Sequence, residues 1–447
     1  MSLSARIYLV TNLRSALVPA IALLAGISSA QSARKTPPKP ANSDRKLVSI
    51  QVSGSQRFTP EEIIAASGLK VGDVETEDDF KKVTQELGES GMFTDVTYSY
   101  SYSSAGTKLD LQLADSNKLV PAHFENFVWF PDAELVSKVH EREPLFKGQV
   151  PIGGNLADRV SDALQSLLLQ HSLSARAEYD REGAPSNGPI DAINFRAAGI
   201  NIHIREVRFP SAPADQVPFL ATAAKKLEGG DYLRSEVNAY AKTALLPVYL
   251  EHGFLRAVFS EPRSKVVHED QDETQVDVDL PSTAGSQYKI SSFSWEGNST
   301  FPDTKLQALI SLQPNQTANA VQLQADLEAV KKLYGTRGYM VAALKPKPSF
   351  DDSNQSVAYK LEVQEGEVFH MGDLEITGLD TKTADRFEEA WNLKPSDAYD
   401  SSYPKRFIEQ SWKLLPPKTN WTVSLHEGVN EKEKTVDVTL RYGIKPD

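Results

Sequence analysis

Apolar residues follow two rhythms along this chain. Phe80, Val83 and Leu87 step by three and four, as on one face of a helix. Leu156, Val160, Leu164 and Leu167 do the same, as do Leu323, Leu327, Val330 and Tyr334. Elsewhere the period is two. Val96, Tyr98, Tyr100 and Tyr102 alternate with Thr and Ser, which predicts a half-buried strand. Further alternating runs are Leu109-Leu111-Leu113, Val276-Val278-Leu280, Val357-Tyr359-Leu361-Val363 and Val436-Val438-Leu440. The polar stretches "SSAGTK", "HEDQDE" and "DDSNQS" precede three of them and predict β-hairpins.

These pieces repeat. "GSQRFTPEEIIAASGL" from Gly54, "GNSTFPDTKLQALISL" from Gly297 and "GLDTKTADRFEEAWNL" from Gly378 each run from a glycine through a polar start into helical spacing. Phe130 to Leu145 and Phe209 to Leu227 fit the same frame, the latter with a small insertion. A turn follows each ("KVGDV", "FKGQV", "EGGDY", "QPNQT", "KPSDA"), then a second helical stretch. That helix is expected to stop at Gly91, Ser172, Gly253, Gly338 and Asn420, spaced by about 81 to 85 residues. Glycine takes positive φ without a Cβ clash and so ends the helix; Asn tolerates that conformation and Ser does so less readily. The aromatics beside the glycines, Phe93, Phe254 and Tyr339, then plug the corner between helix and sheet. Leading strands are expected at Val48-Ile50-Val52, Phe124 to Trp129, Ile202 to Phe209, Tyr288 to Trp295 and Met371 to Ile376.

The unit is therefore strand, helix, helix, strand, strand: a small two-layer α+β domain with a helix pair on one face of a three-stranded sheet. Five are expected, at residues 46–116, 119–199, 200–284, 286–366 and 367–443, the second and fifth being divergent. Short joins such as "QEGEVFHMG" leave little slack between neighbours.

A β-α-α-β-β unit with a Gly-aromatic pair after its second helix, repeated in tandem, resembles the polypeptide-transport-associated (POTRA) domain. The tandem arrangement resembles the periplasmic arm of the BamA family, which assembles outer-membrane β-barrels. The resemblance rests on Gly54, Gly297 and Gly378 after the first strand, and on Gly91-Met92-Phe93, Gly253-Phe254 and Gly338-Tyr339 at the corner. It covers the arm and not the family's membrane barrel, because "VTLRYGIKPD" closes the fifth unit. It implies that the strand after the corner lies at a sheet edge, where an extended client can add by main-chain hydrogen bonds. The edges so indicated are Thr94 to Tyr102 (with Val96, Tyr98 and Tyr100), Leu255 to Glu261 (with Val258), and Met340 to Lys345 (with Ala342). Taken singly, such a strand reads first as a solvated edge with its tyrosines packed against helices.

Composition narrows the setting. Residues 1–30 carry Arg6 and Arg14, an apolar run from Leu17 to Ile27 and small residues at Ser28-Ser29-Ala30, the pattern of a secretory signal peptide. A Pro-rich polar lead-in is expected over 31–45. With no cysteine in 447 residues, disulfides are excluded, and export fits a bacterial periplasm, with the outer membrane reached through partners. A formal charge of −12 argues against nucleic acid. The eight histidines are scattered, and no P-loop, G-x-S-x-G or G-x-G-x-x-G occurs. No catalytic, cofactor or metal residue and no small-molecule substrate is expected. By the resemblance, partners are unfolded or nascent outer-membrane proteins, barrel-assembly components and a separate barrel protein. The other readings are a structural adaptor in a secretion, envelope or division complex, and an enzyme with an unrecognised site.

Overall fold

The structure is a computed structural model that describes residues 46–183, 188–270, 273–417 and 419–444. The expected signal peptide and Pro-rich lead-in lie outside the described residues. The chain divides into two compact units. One holds the residues up to Ile204 with Asp231–Ser235 and Ser264–Val276; the other holds Arg205–Gly230, Glu236–Arg263 and the residues from Asp277 on.

The first module shows the frame most plainly: β1 (Leu47–Ser53), α1 (Pro60–Ser67), α2 (Glu77–Glu89), β2 (Phe93–Ser103) and β3 (Gly106–Asp115), with sheet order β1-β3-β2. β1 runs parallel to β3 and β2 antiparallel to it. Both helices start on capping boxes, Thr59 with Glu62 and Thr76 with Asp79, which satisfy two orphan donors each. Leu109, Leu111 and Leu113 of the central strand are buried beneath Ile63, Phe80, Val83 and Leu87. Phe93 packs edge-on against Phe58 at the corner.

The second module has β4 (Leu119–Phe124), α3 (Asp132–Arg142), β5 (Gln149–Pro151), α4 (Leu156–Gln170), β6 (Arg176–Gly183) and β7 (Ile190–Ala198), in the order β5-β4-β7-β6. Its leading strand precedes the expected Phe124 to Trp129. The aromatic run instead leaves the sheet, because the Asn126 side chain bonds the backbone of Ala197 at 2.9 and 2.7 Å and Phe127 to Phe130 form a turn. Ser172 holds the corner at positive φ as expected. The apolar cores of these two modules form one continuous cluster.

In the third module β8 (Asn201–Arg208) and α5 (Val217–Ala224) are followed by α6 (Arg234–Tyr240), a π-helical turn at Ala241–Leu245 and α7 (Leu246–Glu251). Pro247 explains the widened turn: it lacks an N–H and its ring crowds the carbonyl four residues back. Then come β9 (Val258–Phe259), β10 (Arg263–Glu269), β11 (Glu273–Asp279) and β12 (Ser282–Thr283); the sheet order is β10-β11-β8, with β9 and β12 a separate ribbon.

The fourth module is β13 (Lys289–Glu296), α8 (Asp303–Gln307), α9 (Ala320–Gly335), β14 (Ala343–Asp351) and β15 (Ser356–Gln364). The fifth is β16 (His370–Thr377), α10 (Thr381–Ala390), α11 (Tyr403–Ser411), β17 (Trp421–Asn430) and β18 (Thr435–Ile444). Their orders, β13-β15-β14 and β16-β18-β17, repeat that of the first. Asn420 is not the fifth corner. A 3-10 turn at Trp412–Leu414 ends the helix before Pro416 and Pro417, and Asn420 is absent from the positive-φ positions. None of these sheets closes into a barrel among the described residues.

Two sets of glycines are required by close approach. Gly54, Gly297 and Gly378 leave the leading strand at positive φ, and a Cβ there would collide with the carbonyl oxygens of Leu113, Val363 and Tyr442 in the central strand. The corner glycines Gly253 and Gly338 meet the next module instead. A Cβ would lie 2.8 Å from the Tyr288 oxygen and 2.6 Å from the Phe369 oxygen, and their own carbonyls accept from those residues at 2.9 and 2.8 Å. Gly91 abuts the Gly153 carbonyl in the same manner. The aromatic neighbours do plug the corner: Phe254 packs on Tyr249 and Tyr339 on Tyr334.

A carboxylate pins each strand exit in two modules. Asp115 accepts from Ser55 Oγ (2.7 Å) and the N–H groups of Gln56 (2.8 Å) and Arg57 (3.1 Å). Glu365 accepts from Thr300 N–H (2.8 Å), Thr300 Oγ1 and Ser299 Oγ (3.0 Å each) and the Tyr334 hydroxyl (3.1 Å). Burial alone pushes both carboxyls up, but these donors outweigh it and hold both below their ordinary values.

Two predictions follow from these contacts. Gly297→Ala lowers the stability of the fourth module by about 1–3 kcal/mol, whereas Gly88→Ala, where a Cβ meets nothing within 4 Å, raises that of the first by up to about 1 kcal/mol; urea unfolding read by module-specific amides separates them. Because Asp115 and Glu365 are depressed in the fold, their contribution is full above the unfolded value of about 4 and is lost as pH falls through the folded one. Asp115→Asn and Glu365→Gln should therefore cost stability at pH 7 and flatten its decline toward pH 3 in thermal scans.

Candidate functional site

A three-stranded sheet has two edges, and here the start of one of them is capped by the chain itself. The turn between the paired helices bonds to the first residues of the leading strand. Leu47 N–H reaches the Asp73 oxygen (2.8 Å), Ile290 N–H that of Gln316 (2.8 Å) and Met371 N–H that of Asp397 (2.8 Å), while Tyr232 N–H reaches the Ile202 oxygen (2.8 Å). In the second module the same turn becomes β5, paired with β4. The opposite edge falls to the first hairpin strand: β2, β6, β10, β14 or β17.

These five edges differ. Thr107 of β3 sends its N–H to the Lys46 oxygen (2.9 Å), toward β1. Alternation then turns Leu109, Leu111 and Leu113 the same way, so their partners Tyr100, Tyr98 and Val96 direct main-chain N–H and C=O out of the sheet. The equivalent residue of β6, Ala177, is already occupied: Gln165 Oε1 accepts from its N–H and Ser161 Oγ donates to its carbonyl, each at 2.9 Å. In β14 the equivalent positions are Pro346 and Pro348, paired with Leu361 and Tyr359, which have no N–H to offer. β10 carries Arg263, Lys265, His268 and Glu269 over seven residues, and edge charges discourage pairing. β2 (11 residues) and β17 (10 residues) contain no proline or lysine.

On β2 the alternation separates two chemistries. Val96, Tyr98 and Tyr100 face the helix layer and are half-buried, Tyr102 is 43% exposed, and Thr97 and Ser99 lie exposed on the other face. The rings form a row: Tyr98 stacks on Tyr100 at 6.3 Å, Tyr100 meets Tyr102 at 5.3 Å, and Phe80 of α2 backs Tyr100 at 5.6 Å. The Tyr100 hydroxyl donates to Glu77 of α2 at 2.8 Å. Burial and that carboxylate push the Tyr100 hydroxyl well above its ordinary range; burial, Glu77 and Asp78 also raise Tyr98. Thr94 lies at a bulge, its hydroxyl bonded to the Ala114 oxygen at 3.3 Å.

The other expected edge residues sit elsewhere. Leu255 is in a turn and packs against the fourth module's core, and Val258 belongs to β9, diverted to pair with β12. Met340 and Ala342 precede β14; Met340 packs against the fifth module's core. Both expectations placed the strand too near the corner, where the chain makes its joint to the next module. Among the described residues no group of three His, Cys, Asp or Glu could hold a metal, and no helix is long and apolar enough to cross a membrane.

This architecture meets known proteins at the fourth module: residues 288–366 match the POTRA family, described as "Surface antigen variable number repeat". Along the sequence, the chain is 26% identical over 181 residues to a candidate outer membrane protein assembly factor of Treponema pallidum, covering 40% of this chain and 21% of that one. It is 27% identical over 201 residues to outer membrane protein assembly factor BamA of Buchnera aphidicola, covering 44% and 31%. The matched part thus spans under a third of each relative. Among solved structures, POTRA domains 3–5 of Haemophilus influenzae BamA align with 55% of this chain and 96% of that one, at 19% identity and a TM-score of 0.40. The chain thus carries a POTRA domain at residues 288–366 and is similar over part of its length to outer membrane protein assembly factors; POTRA domains are not enzymes.

The edge geometry predicts amide behaviour. The N–H groups of Tyr98 and Tyr100 should exchange with solvent far faster than those of Thr97 and Ser99. Ala177 should be protected, and Gln165→Ala should remove that protection, as read by hydrogen exchange with NMR.

Proposed function

We propose that this protein is a periplasmic polypeptide-binding array that assists outer-membrane protein assembly by accepting extended segments as an added strand, chiefly along β2 and also along β17. Supporting this is the contrast among edges that share one fold: β2 offers outward main-chain groups at Val96, Tyr98 and Tyr100, while in β6 those of Ala177 are occupied and in β14 Pro346 and Pro348 lack the N–H. Strand addition draws affinity from main-chain hydrogen bonds and makes little sequence demand, which suits a protein serving many clients. The relatives' names, which concern outer membrane protein assembly, point the same way. On this reading the clients are unfolded outer-membrane proteins, and barrel-assembly components, including a separate barrel protein, are the further partners. The modules whose edges are partly occupied or blunted act as spacers that carry the open ones.

Val96→Pro tests the reading. It removes one outward donor without touching a bond to β3, so the first module keeps its fold. Affinity for a denatured outer-membrane protein fragment, read by fluorescence anisotropy with the full chain, should fall about ten-fold, the worth of one lost hydrogen bond. Unchanged affinity would favour the adaptor reading.

A further inference from the structure

Resting on the strand-addition reading, we propose that the tyrosine row of β2 selects the segments that bind there. It favours those with an aromatic or aliphatic side chain at every second position and a basic residue at the end beside Glu77.

The row and the open backbone belong to the same residues. Tyr98 and Tyr100 both direct main-chain groups outward and hold their rings on the helix side of the sheet. A strand added beside β2 places each residue within about 4.5–5.5 Å, Cβ to Cβ, of the one it opposes. Residues opposite Val96, Tyr98 and Tyr100 therefore land against apolar surface, and those opposite Thr97 and Ser99 face water. A slip by one residue exchanges the two sets, so a segment lacking alternation has no satisfactory register.

The flank of α2 above the edge shapes the rest. Glu77, Lys81, Thr84 and Gly88 step along one side of the helix, and the Glu77–Tyr100 hydrogen bond places that side over β2. Gly88 leaves open space where a side chain would project, which leaves that end of the flank unobstructed. Charge is uneven along the flank: Glu77 and Asp78 stand at the Tyr100 end, with Lys81 one turn further on. A client cation therefore belongs at the Tyr100 end and a client carboxylate is disfavoured there.

Three ten-residue peptides and the full chain test this. One alternates Tyr or Val with Ser or Thr and ends in Lys on both sides; a second has the same composition with its apolar residues in one block; the third is the alternating peptide with Glu ends. The alternating Lys peptide should bind about ten-fold tighter than the block peptide and several-fold tighter than the Glu peptide. Tyr98→Thr and, separately, Tyr100→Thr should reduce it to the block peptide's affinity, and Glu77→Gln should erase the preference between Lys and Glu ends. Protection of the Thr97 and Ser99 amides verifies that each variant is folded. Equal binding of alternating and block peptides, weakened about ten-fold in both by Val96→Pro, overturns the selection and leaves strand addition standing. Binding indifferent to Val96→Pro overturns both. A dimer in light scattering that Val96→Pro dissociates, without peptide affinity, assigns the edge to a second copy and overturns the selection.

Discussion

Everything distinctive here depends on where main-chain hydrogen bonds run out. The turn between the paired helices bonds to the start of the leading strand, so the beginning of one edge of each sheet is satisfied within its own module. The central strand is satisfied on both sides. The first hairpin strand presents outward groups along its length, and it lies beneath the second helix, as α2 lies over β2. Backbone groups exposed in a row are a template for pairing. The fold therefore produces the same opening in each copy, and side chains decide how far it stays open: Gln165 and Ser161 occupy Ala177 of β6, and Pro346 and Pro348 blunt β14.

The second constraint is at the corners. Gly253 and Gly338 end a helix and also receive the next module's backbone. Leu255 and Met340, two residues on, reach into the next apolar core. Arg256 adds to the same joint, stacking at 4.0 Å on Phe350 and pairing with Asp352 at 3.1 Å. Lys147 does the equivalent earlier, 2.7 Å from Glu62 and above the Phe58 ring. Residues that read as a strand beginning are thus spent on coupling neighbours.

Much of this was legible in the sequence, because periodicity reports the face a residue buries. The helices over Phe80 to Leu87 and Leu323 to Tyr334, the hairpin strands from Val96 and Val357, and the strand-exit glycines all follow from spacing alone. What failed had a local decoy. The aromatic run Phe124 to Trp129 outshone Leu119–Phe124, which contains Pro121 and His123. The charged strand Arg263–Glu269 hid behind the more apolar Leu255 to Glu261. The occupation of β6 and the Asp115 clamp were illegible, since only the fold brings Gln165 to Ala177 and Asp115 to Gln56, whereas Pro346 and Pro348 of β14 stand in the sequence.

The most direct measurement is a structure, by crystallography or NMR, of this protein with an extended outer-membrane protein segment bound. The account predicts a fourth strand beside β2, exchanging main-chain hydrogen bonds with Tyr98 and Tyr100. A segment held on the helix faces, or bound in a non-extended form with β2 left bare, would contradict it.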